Sequence, residues 1–193
     1  MLQTEFEATF ANIDKDFIRN LIREKGGELV KKEFTQKRKV FNFPESNINK
    51  DGFVRVRDED GKITMTLKIF KGINIEDQKE AEVVVSDFNT AALILSELGA
   101  REKAFQETKR ELWKINGVEI MIDTWPFLET FIEIEGKNEE DVRYVSERLN
   151  FNWEDAVFAP VTELYKRKYN ISEDRINNDT PKIVFDMENP FTS

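Results

Sequence analysis

The chain has 193 residues, of which 39% are apolar and 35% charged, and its 16 Phe and three Trp distinguish it from disordered proteins. A formal net charge of −9 argues against duplex nucleic acid as the main partner. The sequence contains no cysteine and no histidine, which excludes disulfides, zinc sites built on those residues, thiol nucleophiles and Ser-His-Asp catalysis. A metal site would therefore use oxygen ligands, which favour a hard cation such as Mg²⁺, Mn²⁺ or Ca²⁺.

The N-terminal sequence MLQTEFEATF has neither the basic region nor the apolar stretch of a signal peptide. No segment of the sequence is long and apolar enough to cross a membrane. We therefore expect a cytoplasmic protein without a membrane partner. A homodimer is compatible with the sequence, which leaves the oligomeric state open.

Hydrophobic alternation and turn residues predict a chain of short strands with helices at the connections. The predicted strands cover residues 4–10, 35–43, 53–58, 62–70, 79–85, 106–115, 118–125 and 131–135. The predicted helices cover residues 14–25, 87–98, 139–149 and 160–169. Asn12 or Asp14 would cap the first helix. Asp60-Gly61 and Asn116-Gly117 each predict a tight hairpin, and an Asn- and Gly-rich loop is expected over 44–52.

Pairs of like charges at alternate positions recur on four of these strands: Glu5/Glu7, Arg55/Arg57, Glu80/Glu82 and Glu133/Glu135. Alternate residues of a strand share a face, so the two charges repel each other by about 2 kcal/mol at ~7 Å and an effective dielectric of ~20. A bound ion of opposite charge would turn this repulsion into attraction. One such pair is usually a solvated strand face, but four of them favour a binding site.

Eight mostly antiparallel strands can close into a barrel, so we expect an α+β fold with a closed eight-stranded tunnel and helices packed outside it. Placing the charged faces inward gives a lumen lined by Glu5, Glu7, Arg55, Arg57, Lys68, Glu80, Glu82, Arg110, Asp123, Glu133 and Glu135. The apolar faces then lie outward, and they comprise Phe6, Val54, Val56, Leu67, Val83, Leu112, Ile122, Ile132 and Ile134. Carboxylates facing guanidinium and ammonium groups are the chemistry of a metal-bound polyphosphate site.

The charged motifs, in this order, resemble the CYTH superfamily of triphosphate tunnel metalloenzymes, which includes class IV adenylate cyclases, thiamine triphosphatases and inorganic tripolyphosphatases. The resemblance runs over residues 4–169. It is carried by Glu5-x-Glu7, Arg55-x-Arg57, Thr66-Leu67-Lys68, Lys79-Glu80-Ala81-Glu82, Lys109-Arg110, Asp123-Thr124-Trp125-Pro126 and Glu133-Ile134-Glu135-Gly136.

The resemblance implies a tunnel that cleaves or cyclises a small-molecule triphosphate with Mg²⁺ or Mn²⁺. The implied metal ligands are Glu5, Glu7, Asp123, Glu133 and Glu135. The residues implied to contact the substrate are Arg38, Lys39, Arg55, Arg57, Lys68, Glu80, Glu82, Lys109 and Arg110. Catalysis is implied for Glu5, Glu7, Arg55, Arg57, Lys68 and Arg110.

Two positions depart from the family pattern, because Thr9 and Thr108 stand where the family has lysine. Thr9 shares its strand face with Glu5 and Glu7 and is therefore expected to point into the tunnel. Lys37, Arg38 and Lys39 on the second strand, and Lys109 beside Arg110, are the expected replacements for the missing cations.

Three functions fit these residues: a triphosphate hydrolase, a cyclase that forms a cyclic nucleotide from ATP, and a non-catalytic binder of polyphosphate or nucleotide. Hydrolysis is favoured, because no motif for a base and ribose pocket is evident. We expect residues 1–170 to form the tunnel domain and residues 171–193 a C-terminal tail. In that tail, Phe185 and Phe191 either dock on the barrel or belong to a frayed end.

Overall fold

An antiparallel sheet that closes on itself organises the fold. The structure, a computed structural model, describes residues 2–45 and 51–192, so part of the predicted 44–52 loop lies outside the described residues. The strands are β1 Gln3–Thr4, β2 Phe6–Phe10, β3 Glu28–Asn42, β4 Gly52–Glu59, β5 Lys62–Phe70, β6 Gln78–Val84, β7 Arg101–Ile115, β8 Val118–Thr124, β9 Phe131–Gly136 and β10 Lys182–Ile183. The helices are α1 Lys15–Glu24, α2 Phe88–Glu97, α3 Glu139–Arg148, α4 Thr162–Tyr169 and α5 Glu173–Asn177.

The N-terminal segment closes the barrel. The strand order is β1-β6-β5-β4-β3-β7-β8-β9-β2, and β1 and β2 are consecutive parts of one segment interrupted at Glu5. That segment pairs with β6 on one side, through Gln3 and Glu80, and with β9 on the other, through Glu7 and Glu135. Counted as one strand it makes a nearly closed eight-stranded barrel, which confirms the predicted α+β tunnel, and the ladder that joins it to β6 consists of the pairs Gln3–Glu80 and Thr4–Lys79.

Local sequence signals account for the ends of most elements. The side chain of Asp14, rather than Asn12, caps α1 by accepting a hydrogen bond of 2.8 Å from the backbone N–H of Phe17. In the two hairpins, Asp60 and Gly61 have φ angles of 62° and 94°, and Asn116 and Gly117 have 50° and 88°. These positive φ angles suit Asp, Asn and Gly in a tight hairpin turn.

The pairing of β3 with β7 is longer than the sequence predicts. β3 begins at Glu28 rather than residue 35, and β7 begins at Arg101 rather than residue 106. The register of this pair shifts between Leu29 and Lys31, between Lys31 and Phe34, and between Val40 and Phe41. Each shift interrupts the strict alternation of faces, which is why hydrophobic periodicity missed the ends of both strands.

The apolar core lies on the outer face of the barrel, under the helices. One cluster joins α1 and α3 to Ile122, Ile132 and Ile134, which are fully buried as predicted. A second cluster lies between α2 and the β3–β4 wall. Leu112 was predicted to face outward, and this prediction is wrong. Leu112 shares a strand face with Arg110 and lines the lumen.

The segment after residue 171 packs against one end of the barrel. β10 runs parallel to β7, and Ile176, Ile183 and Phe191 are buried with Trp125 and Phe131 from the barrel wall. Of the two tail phenylalanines considered in the prediction, Phe191 docks on the barrel and Phe185 is exposed. Among the described residues, no helix is long and apolar enough to span a membrane.

The tail supplies a matched test of this docking, because the exposed fraction is 6% for Phe191 and 38% for Phe185. Phe191→Ala should lower the free energy of unfolding by about 3–5 kcal/mol through loss of burial, measured by denaturant titration. Phe185→Ala should lower it by less than about 1 kcal/mol. Equal effects of the two substitutions would show that the tail does not pack as described.

Candidate functional site

The barrel encloses a cavity of about 470 Å³. Ten of the predicted lumen residues line its wall: Glu5, Glu7, Arg55, Arg57, Lys68, Glu80, Glu82, Arg110, Glu133 and Glu135. Asp123, the remaining one, is fully buried beside Arg110. Alternation along the strands therefore placed the charged face correctly, and closure of the sheet brings residues from opposite ends of the chain into one space.

Three carboxylates gather at one part of the wall. Glu5, Glu7 and Glu135 each offer a carboxylate oxygen, and these oxygens lie within 4.8 Å of one another. Cross-strand pairing of Glu7 with Glu135 accounts for part of this approach. Hard oxygen donors at this spacing fit a divalent cation such as Mg²⁺ or Mn²⁺.

The electrostatics of the three carboxylates differ. Burial, and then repulsion by Glu133, raises the pKa of Glu7 well above its ordinary value. Burial, and then the nearby Glu5 carboxylate, raises the pKa of Glu135 to about 7. Burial also acts to raise the pKa of Glu5, but the charge and hydrogen bond of Lys68, whose Nζ lies 2.7 Å away, outweigh it and lower that pKa. Without a cation, the cluster therefore holds two carboxylates in an environment that disfavours their charge.

The structure does not bring Asp123 and Glu133 into this cluster. Arg110 lies between them, and its Nε donates a hydrogen bond of 2.8 Å to Asp123 while its Nη2 donates one of 2.5 Å to Glu133. The pairing of Arg110 with Asp123 across the β7–β8 hairpin sets this contact. The five predicted metal ligands therefore divide into a cluster of three and a pair already occupied by a guanidinium group.

Buried cations form the wall next to the acidic cluster. Arg55 lies 3.9 Å from Glu80, and Lys68 lies 3.5 Å from the same carboxylate. Burial, and then the adjacent Arg55, lowers the pKa of Arg57 to about 10. An anion entering the cavity would offset this crowding of positive charge.

Two residues predicted to contact the substrate, Lys39 and Lys109, lie outside the lumen. Lys39 forms an ion pair of 3.0 Å with Glu102, and the Lys109 ammonium lies 5.0 Å from the centre of the Phe185 ring. Each is the chain neighbour of a lumen arginine, Arg38 or Arg110, and neighbouring residues of a strand point to opposite faces.

The two threonines at family lysine positions differ in their surroundings. Thr9 is buried opposite Glu133 in the β2–β9 pair, but it does not contribute to the cavity wall. Thr108 is fully buried and accepts a hydrogen bond of 2.7 Å from Arg38. Lys37 is exposed, so neither it nor Lys39 replaces the missing lysines, and Arg38 is the member of that basic run that lines the lumen.

Several lumen residues were not predicted. Glu59 lies two residues after Arg57 on the same strand face, so its alternation could have revealed it. Glu173 and Asn177, from α5, also line the cavity, and no local sequence signal places a tail helix there. Apolar side chains contribute a further part of the wall, namely Phe34, Leu112 and Met121.

Comparison with known proteins agrees with this geometry. A family model described as the CYTH domain matches residues 5–152. The chain belongs to the CYTH domain family. A Methanocaldococcus jannaschii protein named as a candidate adenylate cyclase is 30% identical over 168 residues, which cover 84% of this chain and 87% of that protein.

Solved structures share the CYTH fold with this chain. A Pyrococcus horikoshii protein superposes with a TM-score of 0.70 and 24% identity, covering 83% of this chain and 98% of its own. A Hippeastrum protein, described as a candidate adenylyl cyclase with a dominant triphosphatase activity, has a TM-score of 0.56 and 12% identity over 87% of this chain and 97% of its own.

The raised pKa of Glu135, about 7, predicts a pH-dependent effect of Glu135→Gln in metal-free protein. A carboxyl whose folded pKa exceeds its unfolded value of ~4.3 stabilises the fold below that value and loses this contribution as pH rises through the folded pKa. The two proteins should therefore have similar melting temperatures near pH 4, and the variant should melt several degrees higher near pH 8. Scanning calorimetry with chelator would measure the difference.

Glu28→Gln provides the control, because Glu28 is exposed at the start of β3. Its melting temperature should follow that of the original protein at every pH. A constant offset for Glu135→Gln between pH 4 and pH 8 would contradict the raised pKa.

Proposed function

We propose that this CYTH domain is a divalent-metal-dependent hydrolase of a triphosphate bound in the barrel cavity. The observation that carries the proposal is the juxtaposition, in one cavity, of the Glu5, Glu7 and Glu135 cluster with a wall of buried arginine and lysine side chains. Inorganic tripolyphosphate, thiamine triphosphate and nucleoside triphosphates are the candidate substrates. The triphosphatase activity ascribed to the Hippeastrum relative supports this choice.

Different lumen residues bind the phosphate groups, position Arg110 and hold the metal ion. Arg38, Arg55, Arg57 and Lys68 bind the phosphate oxygens, and Arg110 is held in place by Asp123 and Glu133 while it faces the same cavity. Glu5, Glu7 and Glu135 would hold Mg²⁺ or Mn²⁺. A cation bound there supplies positive charge that stabilises the phosphate oxygens during reaction.

Lys68 links the two parts of the site. Its ammonium lies 2.7 Å from Glu5 and 3.5 Å from Glu80, so it orients one carboxylate of the acidic cluster while lining the cationic wall. Burial acts to lower the pKa of Lys68, but Glu5 and Glu7 outweigh it and raise that pKa, which keeps the ammonium charged. Charged side chains held in fixed positions would thus surround a water molecule that attacks the terminal phosphate.

Cyclisation of a nucleoside triphosphate is the second candidate function. The name of the M. jannaschii relative favours it, and the apolar residues Phe34, Leu112 and Met121 offer a wall on which a nucleobase could pack. Cyclisation uses the same charged residues, but the substrate's own 3′-oxygen attacks the α-phosphate and pyrophosphate leaves. A non-catalytic binder of polyphosphate or nucleotide is the third candidate.

A panel of triphosphates assayed with Mg²⁺ and with Mn²⁺ tests the proposal. We expect phosphate release that stops when a chelator is added. Glu135→Gln should abolish turnover while the protein stays folded, because one of the three clustered carboxylates loses its charge. Release of pyrophosphate with cyclic nucleotide would instead establish a cyclase, and binding without product would establish the binder.

Substitution of Arg55 separates binding from chemistry. Arg55→Ala should weaken triphosphate binding by about 1.5–3 kcal/mol, the range for hydrogen bonds to charged groups, measured by calorimetric titration. Arg55→Lys should restore only part of the affinity, because lysine lacks the planar guanidinium fork. Arg143→Ala, which removes an exposed arginine of α3, is the matched control and should leave the affinity unchanged. An Arg55→Ala protein with unaltered affinity would reject the assignment.

The cytoplasmic location, the homodimer and the division into residues 1–170 and 171–193 remain predictions from the sequence. Gel filtration with light scattering would measure the oligomeric state.

A further inference from the structure

The four arginines of the lumen differ in how their charge is balanced. Arg110 has two carboxylate partners, Arg57 lies 3.0 Å from Glu59, and Arg55 lies 3.9 Å from Glu80. Within residues 2–45 and 51–192, Arg38 forms no ion pair, although it is buried and lines the cavity. Positive charge in the wall is therefore least compensated at Arg38.

Neutral groups hold Arg38 instead. Its Nη2 donates hydrogen bonds of 2.9 Å to Oε1 of Gln36 and of 2.7 Å to Oγ1 of Thr108, and Thr108 in turn donates to the same Gln36 oxygen at 3.0 Å. The Trp125 ring lies 4.7 Å from the guanidinium carbon. Among the residues that the structure describes, the Nε of Arg38 has no hydrogen-bond partner. These contacts orient the guanidinium group without a carboxylate in direct contact with it among the described residues.

The same contacts extend to a second arginine. Nε2 of Gln36 donates a hydrogen bond of 2.7 Å to Oε1 of Glu59, and that oxygen lies 3.0 Å from Nε of Arg57. The strand register explains the arrangement, since Gln36 faces Glu59 on β4 and Thr108 on β7, while Arg38 faces Arg57. A network of buried side chains across three neighbouring strands thus connects the two arginines.

Burying Arg38 in this network costs desolvation free energy, and a cavity wall with only a structural role would have no need of it. A buried cation is stabilised best by a carboxylate partner, and hydrogen bonds to neutral oxygens leave most of its desolvation cost in place. Burial, followed by repulsion from Arg55, Arg57 and Arg110, lowers the pKa of Arg38 well below its ordinary value. A phosphate group close to Arg38 would remove this cost, whereas a carboxylate at position 36 or 108 would compete with that phosphate.

We propose that Gln36 and Thr108 are positioning residues that hold Arg38 toward the cavity without neutralising it, so that Arg38 is a principal contact for a phosphate group of the substrate. Glu59 couples this arrangement to Arg57. The inference rests on the proposed function, because it requires a phosphate-bearing ligand in the cavity.

Thr108→Val tests the inference, because valine keeps the shape of threonine and removes the hydroxyl that anchors Arg38. The probe is diimidotriphosphate, a tripolyphosphate analogue with NH at both bridging positions, titrated calorimetrically in the presence of Mg²⁺. We expect its dissociation constant to rise roughly three- to tenfold, the range for one net hydrogen bond. Thr108→Ser should restore the original affinity, since serine keeps the hydroxyl.

Thr64→Val is the matched control. Thr64 is as fully buried as Thr108 and lies opposite Arg57 in the β4–β5 pair, but its hydroxyl has no hydrogen-bond partner in the described part of the chain. The affinity of this variant for the analogue should be unchanged. Gln36→Leu removes the other side chain that accepts a hydrogen bond from Arg38, so it should weaken binding in the same way as Thr108→Val. This second variant serves as a check that the effect does not come from misfolding of one variant.

A double-mutant cycle distinguishes positioning from a general structural effect. If Thr108 acts through Arg38, then Thr108→Val should have no further effect on affinity in an Arg38→Met background. Equal losses in both backgrounds, or unchanged or tighter binding by Thr108→Val, would overturn the inference while leaving the proposed function intact. Failure of the unsubstituted protein to bind the analogue would instead overturn the proposed function, and the inference with it.

Discussion

Charged side chains inside the barrel have to find counter-charges among themselves or in a ligand, because the closed sheet and the surrounding helices restrict their access to water. Closure itself depends on the first strand segment, whose two sides pair with β6 and β9. Glu5 and Glu7 on that segment thereby lie close to Glu135, which comes from a distant part of the chain. Lys68 of β5 donates a hydrogen bond to Glu5 in the same region. The same hydrogen bonds that close the sheet thus assemble the acidic cluster.

Charge inside the lumen is incompletely balanced in two places. Both places indicate where a charged ligand would bind. Arg110 donates hydrogen bonds to both Asp123 and Glu133, so its charge is balanced before any ligand binds. In the acidic cluster, burial and neighbouring carboxylates disfavour the charged forms of Glu7 and Glu135, and Arg38 keeps a positive charge with only neutral hydrogen-bond partners among the described residues. A divalent cation and a polyphosphate would satisfy the two together, which neither could do alone.

The apolar residues serve the barrel from outside. Helices α1, α2 and α3 cover the outer faces of the strands, so the hydrophobic core surrounds the lumen rather than filling it. This arrangement leaves the inner face available for charged residues without loss of the main source of stability. The C-terminal segment then closes part of one end, where Ile176 and Phe191 pack with Trp125 and Phe131, while Glu173 and Asn177 reach the cavity.

The sequence by itself determined most of the elements and, apart from Leu112, the inner face of the strands, because turns, caps and alternation are encoded within a few residues. Asp60-Gly61, Asn116-Gly117 and a cap at either Asn12 or Asp14 were each recognisable for that reason, and the structure selects Asp14. Alternation alone should also have excluded Lys39 and Lys109, whose neighbours Arg38 and Arg110 point inward. Only the tertiary structure decided which charges meet, since Lys68 and Glu5 are 63 residues apart and Arg38 and Thr108 are 70 apart. The register of strands distant in the chain sets those contacts, and no local pattern of residues carries that information.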